Sequence, residues 1–346
     1  MTPNLYDISW KVDEETYRKD SALSYSTLAR FAREGFAKLD KLFDQIDTPS
    51  LTFGSAVDAL ITGGQEEFDK QFIVAEFPAI SDNLQTIAKT LFVRYSSEYR
   101  NISDIKDDIL AEVGKECDFY ANDKYKGYRI KLIKENCQEY YNIMYAALGK
   151  KVISTKTRDE IMTAVKALKE DPATRYYFAK DNPWTGVQRF YQLKFKATLQ
   201  DVDYRCMADL IIVDHDHKTI QPVDLKTSSH NEWNFFESFI QWNYQIQARL
   251  YWRIILDNIR RYKEFDEYTL LPYKFIVVNR YTLTPLVWDY EDTDKYGTLY
   301  YGKSDQIECK DPFDLGKELQ CLLTVHPNVP QGINVNESNS LTKWLN

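Results

Sequence analysis

Hydrophobic positions in the first half of the chain recur at helical spacing. Leu28, Phe31, Ala32, Phe36, Leu39, Leu42 and Phe43 follow Ser24 and Ser26, and together they predict a capped amphipathic helix. Thr48, Pro49 and Ser50 break that pattern. A second helix is expected over LTFGSAVDALITGG, stopped by Gly63 and Gly64, and the small residues Gly54, Ser55 and Ala56 allow its start to pack closely. A short strand-like piece, FIVAEFP, comes next. From about Asn83 to Ala179 the pattern is mostly helical. It is clearest in VISTKTRDEIMTAVKALKEDP, where Ser154 or Thr157 offers an N-cap and Ile161, Val165 and Leu168 share a face.

The period changes near Asn182 and Pro183. VQRFYQLKFKATL, YRCMADLIIVD and TIQPVDLKT are β-rich runs separated by polar turns and read as strands of one sheet. His215, Asp216, His217 and Lys218 form the turn between the last two, which leaves both histidines in solvent. A long amphipathic helix is expected from about Glu232 to Arg260, then a strand, YKFIVVNR, and a partner strand, LTPLVWDY. This order predicts an α/β (α+β) fold, a mixed central sheet flanked by helices with a helical N-terminal half. Residues 1–180 are assigned to the helical part, 181–326 to the sheet and its helices, and 327–346 to a polar, loosely held tail, all within one integrated domain.

Composition narrows the class. The chain has 346 residues, enough for a sizeable core, and no run of 18 apolar residues, so no membrane span is expected. Its acidic N-terminus lacks an apolar region of signal-peptide type, which points to the cytoplasm. Five cysteines without a closely spaced pair argue against a disulfide framework, a zinc ribbon and an iron–sulfur cluster. The net charge of −8 disfavours nucleic acid as a partner of the general surface but leaves room for a local basic groove. There is no phosphate-binding GxxxxGK[ST] loop, no GxSxG and no HExxH.

Candidate chemistry lies between Tyr204 and Tyr251. Asp209 and Asp224 stand on two strands that the His215 turn folds side by side, about 4.8 Å apart, so both carboxylates can reach one hard cation. The two-residue period of a strand sends Asp224 and Lys226 to one face and turns Leu225 to the core. A carboxylate and an ammonium in that relation suit metal-assisted hydrolysis: the acid places metal and water, and the lysine steadies nucleophile or phosphoryl charge. Downstream, Gln247 and Tyr251 lie four apart on one helical face. Lys194, Lys196, Arg205 and Arg189 form a basic cluster that either faces phosphate or is a solvated strand edge. Trp233, Phe235, Phe236, Phe239, Trp242 and Tyr244 read as helix-to-sheet packing. His230 follows the Asp224 strand and could approach the site.

These residues stand in the order of a known pattern. Gly54-Ser55-Ala56-Val57-Asp58, Met207-Ala208-Asp209, Asp224-Leu225-Lys226-Thr227 and the Gln247…Tyr251 pair resemble the RecB/RecE-like branch of the PD-(D/E)XK nucleases, within it the exonuclease VIII type, over roughly residues 22 to 290. The resemblance implies a Mg²⁺- or Mn²⁺-dependent phage or prophage exonuclease, using two ions and resecting linear duplex DNA ends for recombination. It further implies Asp58, Asp209, Asp224 and the Leu225 carbonyl as metal ligands, Lys226 as catalytic lysine, and Gln247 and Tyr251 as residues that orient the site or touch the DNA backbone. A single-strand annealing protein and a homo-oligomeric ring are implied partners. Two positions depart from the pattern: the family's metal-binding histidine falls on Asp58, and a glutamate before the hairpin falls on Gln188. Those departures leave a second reading, a non-catalytic DNA-binding or assembly module of the same fold.

Overall fold

The computed structural model describes residues 3–44, 46, 48–182, 184–230, 234–290, 298–301, 305–308 and 310–326. Among them, residues up to Gly64 and from Glu160 onward form one compact unit, and Gln65–Asp159 form another.

The first unit is built on a mixed sheet of six strands. Val187–Leu199, Val202–Asp214 and Thr219–Ser228 run antiparallel, each beside the next. Lys274–Asn279 then lies parallel to the Asp224 strand, and Pro285–Asp289 closes the order antiparallel. Thr269–Leu270 adds a short parallel pairing at Thr219 and Ile220. The central strands are apolar almost throughout, with Ile211, Val213, Ile220, Phe275 and Val278 fully buried, so both sheet faces are covered. Parallel pairing of the Asp224 strand with Lys274–Asn279 requires a crossover, and the helices Phe235–Gln241 and Tyr244–Ile259 supply it. Several aromatics of this crossover pack on the sheet as the pattern predicts, Phe239 meeting Phe275 and Trp288 and Phe235 meeting Trp288. Trp242, by contrast, is exposed and lies against Arg33, and Trp233 falls outside the described residues.

Several elements differ from the sequence reading. The helix expected over 24–43 runs only from Tyr25 to Glu34, capped by Ser24; Gly35, at φ +66°, ends it, and a 3₁₀ turn Phe36–Lys41 follows. The long helix expected from Glu232 is two helices, because Asn243 takes a left-handed conformation at φ +55° between them; residues 231–233 lie outside the described ones. A helix Pro312–Val325, capped by Asp311, packs Leu315, Leu319 and Leu323 into the core and was not anticipated. Leu225 is only half-buried, whereas Asp224 is 1% exposed, so it is the carboxylate side of that strand that the crossover covers.

In the second unit the helices Asp82–Tyr95, Asp107–Glu116, Lys126–Asn136 and Gln138–Ala147 enclose a core of Ile87, Leu91, Phe92, Leu110, Ile133, Tyr141 and Met144. The strand-like FIVAEFP reduces to Phe72–Val74, which pairs in parallel with Lys151–Ile153. Ser154, rather than Thr157, caps the helix Thr155–Glu170 through the Thr157 amide. No helix among the described residues is long and apolar enough to cross a membrane.

Candidate active site

The two strand carboxylates meet where their ladder ends. The ladder stops at the pair Leu210–Val223, and Asp209 and Asp224 are the next residue on each strand. There the Leu225 amide N–H turns to donate to Asp209 Oδ2 at 3.0 Å. Lys226, one pleat beyond Asp224, brings Nζ to 2.5 Å from Asp224 Oδ2. This is a close ion pair on the buried face of the strand. From the crossover helix, Gln247 Nε2 donates to Asp224 Oδ1 at 2.5 Å. Its own Oε1 is buried without a hydrogen-bond partner.

Asp58 comes from the helix Pro49–Thr62, which starts at Pro49 behind the Thr48 cap and reaches the sheet through a close approach at Gly54. A Cβ at Gly54 would stand 3.0 Å from Thr227 Oγ1, so the small residue sets how near the helix comes. One helical turn later, Asp58 receives the side-chain amide of Gln192, at 3.1 Å to Oδ1 and 2.9 Å to Oδ2.

Burial, then the charges of Asp224 and Asp58, push the Asp209 carboxyl well above the usual carboxylate range, against the weaker pull of Lys226 and the Leu225 amide. For Lys226 the competition goes the other way. Burial alone would lower it, but Asp224, with Tyr244 and Asp209, outweighs that and holds the ammonium above its ordinary value. The Tyr244 ring lies under it, its centroid 4.9 Å from Nζ. Asp224 and Asp58 therefore both act on Asp209, and Lys226 answers the charges of Asp224 and Asp209.

Tyr251 is 7% exposed and sits in ring contact with Tyr25 and Tyr273. Burial first, then Tyr17, Cys206, Asp224 and Asp209, raises its phenol well above the ordinary value. It is a neutral neighbour within the protein interior. Gln247, 4% exposed, is likewise turned to Asp224.

Gln188 is not at this site: its Oε1 meets His215 Nε2 at 3.1 Å, and His215 also meets Tyr268, so that histidine is half-buried rather than a free turn residue. His217 is exposed and pairs with Asp214. Gln192 holds the place beside the carboxylates, lying opposite Asp209 between the pairs Tyr191–Leu210 and Leu193–Ala208. Tyr244 and Gln192 are the two site neighbours the sequence reading passed over. Tyr244 stood among crossover aromatics with nothing to single it out, and Gln192 looked like any polar residue in a strand. His230 pairs with Glu237. The four basic residues of the hairpin have internal partners: Lys194 donates to the Val12 carbonyl, Lys196 and Arg205 meet Asp20, and Arg189 meets Asp181. Each of them is tied to a neighbour within the fold.

Among the described residues no three side chains of His, Cys, Asp or Glu converge closely enough to hold a metal ion as they stand. The donor chemistry nevertheless suits a hard divalent cation: Asp224 and Asp58 both act on the Asp209 carboxylate, and Gln247 Oε1 is buried without a hydrogen-bond partner.

No protein-family profile and none of the curated proteins matches the sequence. Among solved structures, the chain is similar to a candidate exonuclease of Eubacterium rectale, at 12% identity and a TM-score of 0.40, over 97% of this chain and 88% of the other. It is also similar to a protein of Vibrio cholerae, at 12% identity and a TM-score of 0.16, over 86% of this chain and 62% of that one. Likenesses at these scores decide nothing about chemistry.

Proposed function

We propose that the chain is a metal-dependent deoxyribonuclease that hydrolyses phosphodiester bonds, acting as an exonuclease on linear duplex ends. The observation that carries this reading is Asp209 beside Asp224 at the end of their ladder, with Lys226 and Gln247 on Asp224 and Asp58 acting on Asp209. Asp209, Asp224 and Asp58, with the Leu225 carbonyl, would hold Mg²⁺ or Mn²⁺. Such an ion supplies a water activated at neutral pH and a counter-charge for the phosphate. Lys226 keeps its proton and offers a positive charge beside the scissile group, while Gln247 fixes the rotamer of Asp224. Tyr244 limits where the lysine can swing.

The direct trial incubates the protein with linear duplex DNA and Mg²⁺ beside Asp224→Asn. Metal-dependent loss of linear but not covalently closed circular DNA, absent in the variant, is the expected result. Equal loss with the variant, or none with either, overturns the reading. The absence of a three-ligand group among the described residues favours one other reading, a DNA-binding module without catalysis. It would give DNA retention without digestion in the same samples.

A further inference from the structure

Within the strand Val187–Leu199, Gln192 has φ +53°. That region is costly for a residue with a Cβ, and long side chains seldom adopt it. The other described non-glycine residues with positive φ lie in turns, helix ends or loops, such as Gln200 and Asp201 at the hairpin tip, Lys218 in the next turn and Asn243 between helices. Gln192 alone lies inside a strand. The distortion inserts no residue, since Tyr191–Leu210 and Leu193–Ala208 keep the same register on either side. The strain therefore serves neither a turn nor a bulge, and it persists because something holds it.

The holding contact is the two-point donation from Gln192 Nε2 to both oxygens of Asp58. Asp58 is only half-buried and is repelled by Asp209, so without a donor its carboxylate would gain by swinging toward water. An amide opposes that swing and adds no charge. A lysine there would cancel the negative field of the cluster, and a glutamate would repel Asp58 outright.

We propose that Gln192 is the positioning residue of this site, its strained backbone kept so that a neutral amide holds Asp58 against Asp209 for a divalent cation. The proposal rests on the metal-dependent reading above. Calorimetric titration of the full chain with Mn²⁺, together with thermal unfolding in its absence, tests it. Glycine favours the left-handed backbone, so Gln192→Gly removes strain and amide together. The expected result is a melting temperature equal to or above that of the wild type, with Mn²⁺ affinity at least tenfold weaker. Adding Asp58→Ala to that variant should then weaken Mn²⁺ binding little further, while Gln192→Asn, which keeps the amide, should restore part of the affinity. A purely structural glutamine would do the reverse, lowering the melting temperature and leaving affinity unchanged. If the wild type binds Mn²⁺ and Gln192→Gly binds it equally, this proposal alone falls. If the wild type binds none, the metal-dependent reading falls and takes this proposal with it.

Discussion

Asp209 is flanked by two other carboxylates, Asp224 and Asp58. Burial and two like-charged neighbours raise its carboxyl, so the folded state binds its proton more tightly than the unfolded chain does. A raised carboxyl contributes stability in full below its unfolded value, near 3.8, and loses it as pH rises through the folded value. In metal-free buffer the protein should therefore become less stable as pH climbs from about 4 toward neutrality. Asp209→Asn keeps an acceptor for the Leu225 amide and removes the titration. It should unfold at a higher temperature than the wild type at pH 7 and show a flatter pH profile. Parallel slopes for the two proteins across that range would show that Asp209 does not govern the effect. The identities of Asp209, Asp224 and Lys226 were legible in the sequence because strand alternation and one turn suffice to juxtapose them. Gln192 was not, because its role depends on a backbone angle and a partner 134 residues away.

At the scale of elements, the hairpin strands were read almost to the residue, since their hydrophobic runs are bounded by turn-forming residues. Helices fared less well at their ends. Gly35 and Asn243 each interrupt an otherwise continuous apolar periodicity, and periodicity does not register one left-handed residue. The Asp58 helix shows how packing overrules propensity. Replacing Gly54 with alanine should favour the helix by about 1 kcal/mol. Yet the new Cβ would press on Thr227 Oγ1 at 3.0 Å, an overpacking cost of about 1–3 kcal/mol. Urea unfolding should therefore show no gain for Gly54→Ala alone. The gain should emerge when Thr227→Ala removes the obstructing oxygen. A full gain in the single variant would mean that Thr227 yields freely and that the glycine does not set the approach.

At the scale of the whole molecule, one core of buried residues lies around the sheet and another among the helices of Gln65–Asp159, with no residue in common. Leu91 is fully buried in the second. Leu91→Ala should cost that core about 2–5 kcal/mol. Hydrogen exchange should then report lost protection across Asp82–Tyr95 and Gln138–Ala147, with the amides of Val202–Asp214 retaining theirs. Loss of protection in both cores together would show that they unfold as one cooperative unit.

Taken by itself, the sequence determined the β-rich hairpin, the crossover that follows it and the alignment of Asp209, Asp224 and Lys226, because each depends on short periods and turns along the chain. Gln247 joined them only through the family resemblance. The tertiary structure decided what those periods cannot carry. It decided that Asp224 rather than Leu225 is buried, that Gln192 rather than Gln188 attends Asp58, and that the basic hairpin residues have internal partners. Burial, charge repulsion and backbone strain are sums over neighbours distant in sequence, and they exist only once the chain has brought those neighbours together.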